Sequence, residues 1–273
     1  MVLVLKMIET KKFLGLKYSI FNLEELKQNI IFGIKNGITS VYYGYSLTLL
    51  SKFKKYPEIY LFSNRFDYFL ADGKGYYFFL RLFGIKLESD ISLPDLAILL
   101  LEIANEKKFS VLLFGADNNT NIAATGKIRR KYPNAKIVDG INGFYNEMEE
   151  AAIINKINAL SPDIMLVGIS SPKKEKISIE WKDRLKVKVI VPCGGVIDVF
   201  AENTKREPKI VKKIGLTWIY RFLQEPKRLF KPLFMGGLSV LFWLIPKVIY
   251  EIKIKKNTSF SIPEFYHITE SDK

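Results

Sequence analysis

The segment Phe69-Leu-Ala-Asp-Gly-Lys-Gly75 ends an apolar stretch on a carboxylate, Asp72, in a turn that Gly73 and Gly75 keep open. An Asp before Gly is most often a turn former. A carboxylate so placed can also take the proton of a bound hydroxyl that comes within about 2.6–3.2 Å of it. A second kind of chemistry is offered by the run Gly215-Leu-Thr-Trp-Ile-Tyr-Arg-Phe-Leu-Gln-Glu-Pro-Lys-Arg-Leu-Phe-Lys231, where cations alternate with large apolar groups. Arg221, Lys227, Arg228 and Lys231 can pair with anions. Trp218, Phe222, Leu229 and Phe230 each offer apolar area worth about 1.5–3 kcal/mol when buried. Such a surface suits an anionic, lipid-linked partner. Glycine recurs at the ends of apolar runs, as Gly115, Gly168 and the pair Gly194-Gly195. There it lets a backbone approach a phosphate or a sugar without a Cβ in the way, although each glycine alone is more often a turn residue.

The elements that must position these groups are legible between residues 110 and 200. Short apolar runs alternate there with longer polar-apolar segments, the pattern of a parallel sheet flanked by helices. Strands are expected at Val111–Phe114, Lys136–Val138, Asp163–Val167 and Val187–Val191. A polar loop over Asp117–Thr120 leads into a helix ending near Lys131, and further helices fall at about Glu147–Leu160 and Lys173–Leu185. Ligands of such folds bind where strands end and helices begin, because helix N-termini present free N–H groups to anions. Asp198, just after Gly194-Gly195, is placed to hold hydroxyls of a bound ligand, or equally to cap a helix. Pro172 suits the first turn of the helix near Lys173, and Glu175 favours its dipole. Neither a Gly-x-Gly-x-x-Gly nor a P-loop pattern occurs, so a classical dinucleotide or P-loop reading fails.

The 273 residues suffice for one sizeable domain and an appendage, divided here into a body, 1–204, and a C-terminal part, 205–273. The net charge is +14, and residues 205–273 contribute +8 of it. A single cysteine, Cys193, rules out an intrachain disulfide and fits a reducing cytosolic setting. With one histidine, His267, a zinc site is not expected, and no metal or cofactor is assigned. The N-terminus lacks the features of a signal peptide. The longest apolar stretch, Leu233–Ile245 between Pro232 and Pro246, falls short of the ~20 residues of a spanning helix, though continuing it to Tyr250 approaches that length. An in-plane or re-entrant segment over 233–250, flanked by Lys231, Lys247, Lys253, Lys255 and Lys256, is the preferred reading. Nucleic-acid binding is the competing use of the basic charge. It fits poorly, because the cations gather beside the most apolar segment of the chain.

From about Ile38 to Pro232 the order of motifs resembles the WecG/TagA/CpsF family of bacterial glycosyltransferases. The matching pieces are Ala71-Asp-Gly-Lys-Gly75, Leu112-Leu-Phe-Gly115, Tyr132-Pro133 with Gly143-Phe144, and Ser161-Pro-Asp-Ile-Met-Leu-Val-Gly168. They continue with Ser171-Pro-Lys-Lys-Glu175, Gly194-Gly-Val-Ile-Asp198, Arg206-Glu-Pro208 and the Gly215–Lys231 run. The resemblance implies a Rossmann-like α/β body with a helical, membrane-associating C-terminal appendage that closes over the site. It implies inverting, metal-independent transfer of an N-acetylated hexosamine, or its uronate, from a UDP-sugar to an undecaprenyl-diphosphate-linked sugar. Asp72 matches the family's proposed general base. By family position Arg206, Arg221 and Arg228 are the cations for the leaving diphosphate, with Lys227 and Lys231 secondary, since a developing negative charge needs fixed donors. Gly73, Gly115, Gly168, Pro172, Lys174, Gly194, Gly195 and Asp198 complete the expected substrate site. Expected partners are the UDP-sugar, the lipid-linked acceptor, the cytoplasmic face of the bacterial membrane, held peripherally, and a further copy of the chain in a homo-oligomer, with no nucleic acid.

The chain departs from the family's pattern at four places. A Thr-x-Asn turn is replaced by Tyr43-Gly-Tyr45, an Arg by Asp90, a Gln by Lys174, and Arg-Ala-Pro by Arg206-Glu-Pro208. Lys174 is expected to supply the cation that Asp90 takes away. The alternative is a weakly active or non-catalytic partner in a polysaccharide assembly complex, which keeps the fold and the appendage.

Overall fold

The computed structural model describes residues 8–230, 234 and 236–268 of the chain. An antiparallel hairpin of β1 (Glu9–Phe13) and β2 (Leu16–Ile20) precedes the main sheet. That sheet is built from β3 (Ser40–Tyr45), β4 (Tyr68–Ala71), β5 (Ser110–Gly115), β6 (Lys136–Ile137), β7 (Ile164–Gly168) and β8 (Val189–Val191). All six strands are parallel, in the order β4-β3-β8-β7-β5-β6. Strands covered on both faces read as continuous apolar runs, and successive side chains feed opposite layers. Leu112, Phe114, Met165 and Val167 enter one core. Val111, Leu113, Ile164 and Leu166, one residue out of phase, enter the other.

Helices supply the cover. Leu26 and Ile30 of the helix Leu23–Lys35, Leu96 and Leu100 of Leu93–Lys107, and Ala124 and Ile128 of Asn118–Lys131 close one face. Phe79 and Leu80 of Lys74–Leu82, Ile154 and Ile157 of Glu150–Leu160, and Ile177 and Ile179 of Lys173–Glu180 close the other. The expected strands and helices are present, with shifted ends. Asp117–Thr120 is the start of a helix and no loop, because the Asp117 carboxylate accepts the Thr120 N–H at 3.0 Å and caps the first turn. The helix expected to reach Leu185 stops at Glu180, and Lys182–Arg184 form a separate 3-10 turn.

The C-terminal part divides in two. Residues 236–254 are helical, and Val240, Leu244 and Val248, spaced four apart, enter the same core as Tyr43 and Phe114. No described helix is long and apolar enough to cross a membrane. Farther on, the Ile262 N–H donates to the Leu14 carbonyl at 2.9 Å, tying the C-terminal helix Ile262–Phe265 to the hairpin. Between body and helix, the short helices Lys209–Lys213, Thr217–Gln224 and Pro226–Phe230 lie at the surface, and Thr217–Gln224 buries no residue.

Candidate active site

Parallel strands put all their C-terminal ends, and the loops that follow, on one edge of the sheet. Asp72 follows β4 there, and its N–H donates to the Tyr45 carbonyl at the end of β3 at 2.8 Å. Gly73, at φ +91°, turns the chain into the helix Lys74–Leu82, a conformation that favours glycine. Asp72 Oδ1 accepts the N–H of Leu93 at 3.0 Å. Leu93 is the first residue of the 15-residue helix Leu93–Lys107, so a helix N-terminus faces this carboxylate. Gly44 makes the approach possible, since a Cβ there would lie 2.7 Å from the Asp72 Cβ and 2.9 Å from Leu93 Cγ. Asp72 Oδ2 accepts no hydrogen bond from the described residues. Burial pushes the Asp72 carboxyl above the usual carboxylate range, and Asp95 adds to the push; the Leu93 N–H, Lys174 and Arg221 oppose it. A half-satisfied carboxylate with a raised pKa is suited to accepting a proton.

Lys174 is a cation near enough to Asp72 to bias its ionisation. Its Nζ donates to the Pro192 carbonyl at 3.1 Å and stands 3.7 Å from Glu175 Oε1. Glu175 is fully buried and accepts hydrogen bonds from the Tyr43 hydroxyl and the Ser171 hydroxyl, each at 2.8 Å. Its role therefore exceeds the dipole partnership expected of it. Tyr45 shares a hydrogen bond with Ser63 at 3.2 Å. Both tyrosines are core residues with their rings packed among other aromatic groups and their hydroxyls bonded within the body. Asp90 is paired with Lys74. Its charge is met locally, and Lys174 answers to Glu175 and Asp72 instead.

Across the same edge a polar cleft of about 160 Å³ lies over the ends of β5, β7 and β8, lined among others by Asp117, Phe144, Gly168, Ser170, Gly194 and Asp198. Gly195 lines it too and caps the helix Val196–Phe200. Asp198 thus lies inside that helix's first turn, and the cap position considered for it belongs to Gly195. Gly115, at φ +141°, has a packing reason as well: a Cβ would sit 2.5 Å from the Gly168 carbonyl group. Pro172 precedes the helix Lys173–Glu180, two residues after Ser170 of the cleft. β4 is two strands from β8, so at the usual strand spacing about 10 Å separates their ends, and Lys174 bonds to the Pro192 carbonyl just after β8.

Of the expected cations, Arg221 is near enough to Asp72 to bias its ionisation. Arg206 pairs with Asp95. Arg228 lies on the helix Pro226–Phe230, and Lys231 lies outside the described residues. Sequence reasoning missed Ser92, Leu93 and Asp95, although Ser92-x-x-Asp95 before an apolar run is a capping pattern. It also gave no role to Asp117, Phe144 or Ser170.

The profile of the glycosyl transferase WecG/TagA/CpsF family matches residues 11–254. The chain belongs to this family. Among relatives is an N-acetylglucosaminyldiphosphoundecaprenol N-acetyl-beta-D-mannosaminyltransferase of Bacillus spizizenii, 32% identical over 162 residues, which is 59% of this chain and 62% of the relative. A protein of the same name from Staphylococcus aureus strain MRSA252 is 31% identical over 193 residues, 71% of this chain and 74% of the relative. The match thus spans less than two thirds of the Bacillus relative's length. In this WecG/TagA/CpsF chain the edge that carries Asp72, Lys174 and the glycine-lined cleft falls wholly inside the matched region.

Proposed function

We propose that this protein is an inverting glycosyltransferase that moves an N-acetylhexosamine or related sugar from a UDP-sugar onto an undecaprenyl-diphosphate-linked sugar in cell-surface polysaccharide or teichoic acid synthesis. The relatives' names supply the acceptor class. The observation that carries the reading is the state of Asp72: one oxygen held by the Leu93 amide, the other open, and the carboxyl poised above its ordinary range.

In this reading the nucleotide occupies the cleft at the ends of β5, β7 and β8. Phe144, 76% exposed at its rim, offers a face for the base, and Gly194, Gly195 and Asp198 meet the ribose and phosphates. The sugar then extends past Lys174 towards Asp72. The acceptor hydroxyl gives its proton to Asp72 Oδ2 as its oxygen attacks the anomeric carbon from the face opposite the diphosphate. The bond to UDP breaks with inversion, and Arg221, with Arg228 as a further cation, balances the charge that gathers on the diphosphate, while Arg206, expected there by family position, is paired with Asp95. Membrane contact falls to the C-terminal part, where Trp218, Leu223, Phe230 and Phe242 are exposed among cations, so the enzyme works peripherally at the cytoplasmic face.

The test is transfer from a panel of UDP-sugars (N-acetylmannosamine, N-acetylglucosamine, glucose and their uronates) to lipid-linked monosaccharides, comparing the wild type with Asp72→Asn. Transfer should fall by about 10²–10⁴-fold in the variant, the usual contribution of a general base. UDP binding with no transfer from any donor would move the assignment to a non-catalytic assembly partner, the reading that the Tyr43, Tyr45, Asp90 and Lys174 departures favour.

A further inference from the structure

Asp95 closes the first turn of the helix Leu93–Lys107. Its Oδ2 accepts the Ser92 N–H at 3.2 Å, and the Ser92 hydroxyl oxygen accepts the Asp95 N–H at 3.4 Å. Pro94 has no N–H, and the Leu93 N–H is given to Asp72, so the donors of this turn are assigned. Capping asks nothing more of Asp95. Yet two cations from more than a hundred residues away converge on its 15% exposed side chain, Arg206 on Oδ1 and Lys212 on Oδ2. Although burial pushes the carboxyl up, Lys212 and the Ser92 hydroxyl hold it below the usual carboxylate range.

Both cations belong to the segment that carries Arg221. Lys212 lies in the helix Lys209–Lys213, Gly215 turns the chain at φ +81° against Lys74, and the helix Thr217–Gln224 then brings Arg221 towards Asp72. The segment is closed on itself by Thr204 Oγ1 donating to Glu225 at 2.9 Å and by the Lys205 N–H donating to Gln224 Oε1 at 2.7 Å. No residue of Thr217–Gln224 is fully buried, and Ile219, Tyr220 and Phe222 are only half-buried, so the ion pairs on Asp95 are a specific tie from this segment to the body. Asp95 is the more buried partner in both pairs, so taking the cations away leaves its carboxylate uncompensated, which makes the tie effective.

We infer that Asp95 is a positioning residue: paired with Arg206 and Lys212, it latches the C-terminal segment over the site and so sets Arg221 beside the base. The latch sits in the same helical turn as the amide that holds Asp72, so closure and alignment of the base share one anchor. This deepens the glycosyltransferase reading and rests on it.

Asp95→Asn keeps the side chain's size and its acceptor for the Ser92 N–H while deleting both ion pairs. In the full chain, cysteines introduced at exposed Glu102 and Leu223 would carry spin labels, and buried Cys193 stays unlabelled. The parent protein should give one narrow label distance. Asp95→Asn should add a broad, longer component and lower kcat by about ten- to a hundredfold, as misplacement of a catalytic cation does. Arg206→Gln with Lys212→Gln should reproduce both effects, and the triple variant should be no worse than either. An unchanged distance in Asp95→Asn, whatever its melting temperature, would reduce Asp95 to a helix cap and overturn the latch; so would losses that simply add. The distances need no substrate. A wild type that transfers no sugar would therefore sink the enzymatic reading and leave closure separately tested.

Discussion

The two oxygens of Asp72 are used unevenly. Oδ1 is spent on the Leu93 amide and Oδ2 is open, whereas Asp95 meets a cation on each oxygen; Glu175 is also uneven, with two hydroxyls on Oε1 and none on its buried Oε2. The raised Asp72 pKa has a definite sign in stability. The unfolded chain ionises this group near its ordinary value of about 3.9, and the folded chain only at higher pH. Above the folded pKa the group therefore favours unfolding, and below the unfolded pKa the cost vanishes because both states are protonated. Asp72→Asn should thus melt higher than wild type at neutral pH, by about 2–4 °C for each kcal/mol relieved. The gap should close in thermal scans as pH falls below about 4. An equal gap at every pH would mean that ionisation of Asp72 is not the source. The Asp-Gly pair and the family resemblance together made Asp72 legible in the sequence. Its partner amide, 21 residues on, was not legible, because backbone N–H groups carry no residue signature.

At the scale of elements, the apolar stretch after residue 233 shows how composition underdetermines placement. Val240, Leu244 and Val248 fall on one line of a helix and are fully buried against the body, while Leu241 and Phe242 between them are 51% and 77% exposed. The segment is therefore half core. Leu244→Ala should destabilise the whole chain by about 2–5 kcal/mol, measured by denaturant unfolding, as for other large-to-small core changes. A loss under 1 kcal/mol would mean that this helix is not part of the folded body. The strands β5, β7 and β8 were readable as apolar runs. β3 was not, because Tyr42, Tyr43, Gly44 and Tyr45 resemble an aromatic turn until neighbours on both sides cover them.

For the whole molecule, a net charge of +14 is joined by exposed aromatic groups in the C-terminal part. In the proposed membrane contact, anionic lipid would attract the cations over a Debye length of roughly 10 Å, and insertion of Trp218 and Phe242 would add a contribution that salt does not screen. The chain should therefore float with anionic vesicles, less so with neutral ones, and only in part be released by high salt. Trp218→Ala with Phe242→Ala should lower partitioning by at least about tenfold, given the apolar area lost. Complete release by salt from the unmodified protein would show that charge alone provides the attachment.

Local pattern determined the α/β class, the strand ends that bear glycine and the basic, aromatic character of the C-terminal part, because periodicity, turn chemistry and charge are properties of neighbours in the chain; Asp72 stood out as a candidate base only through the family resemblance. Which charges remain open to a ligand was decided by tertiary structure. Lys74 meets Asp90, Arg206 and Lys212 meet Asp95, and Lys174 lies between Glu175 and Asp72. Each of these assignments depends on packing that brings distant segments within a few ångströms, where charges are paired or left free according to geometry, and residue type alone does not specify that geometry.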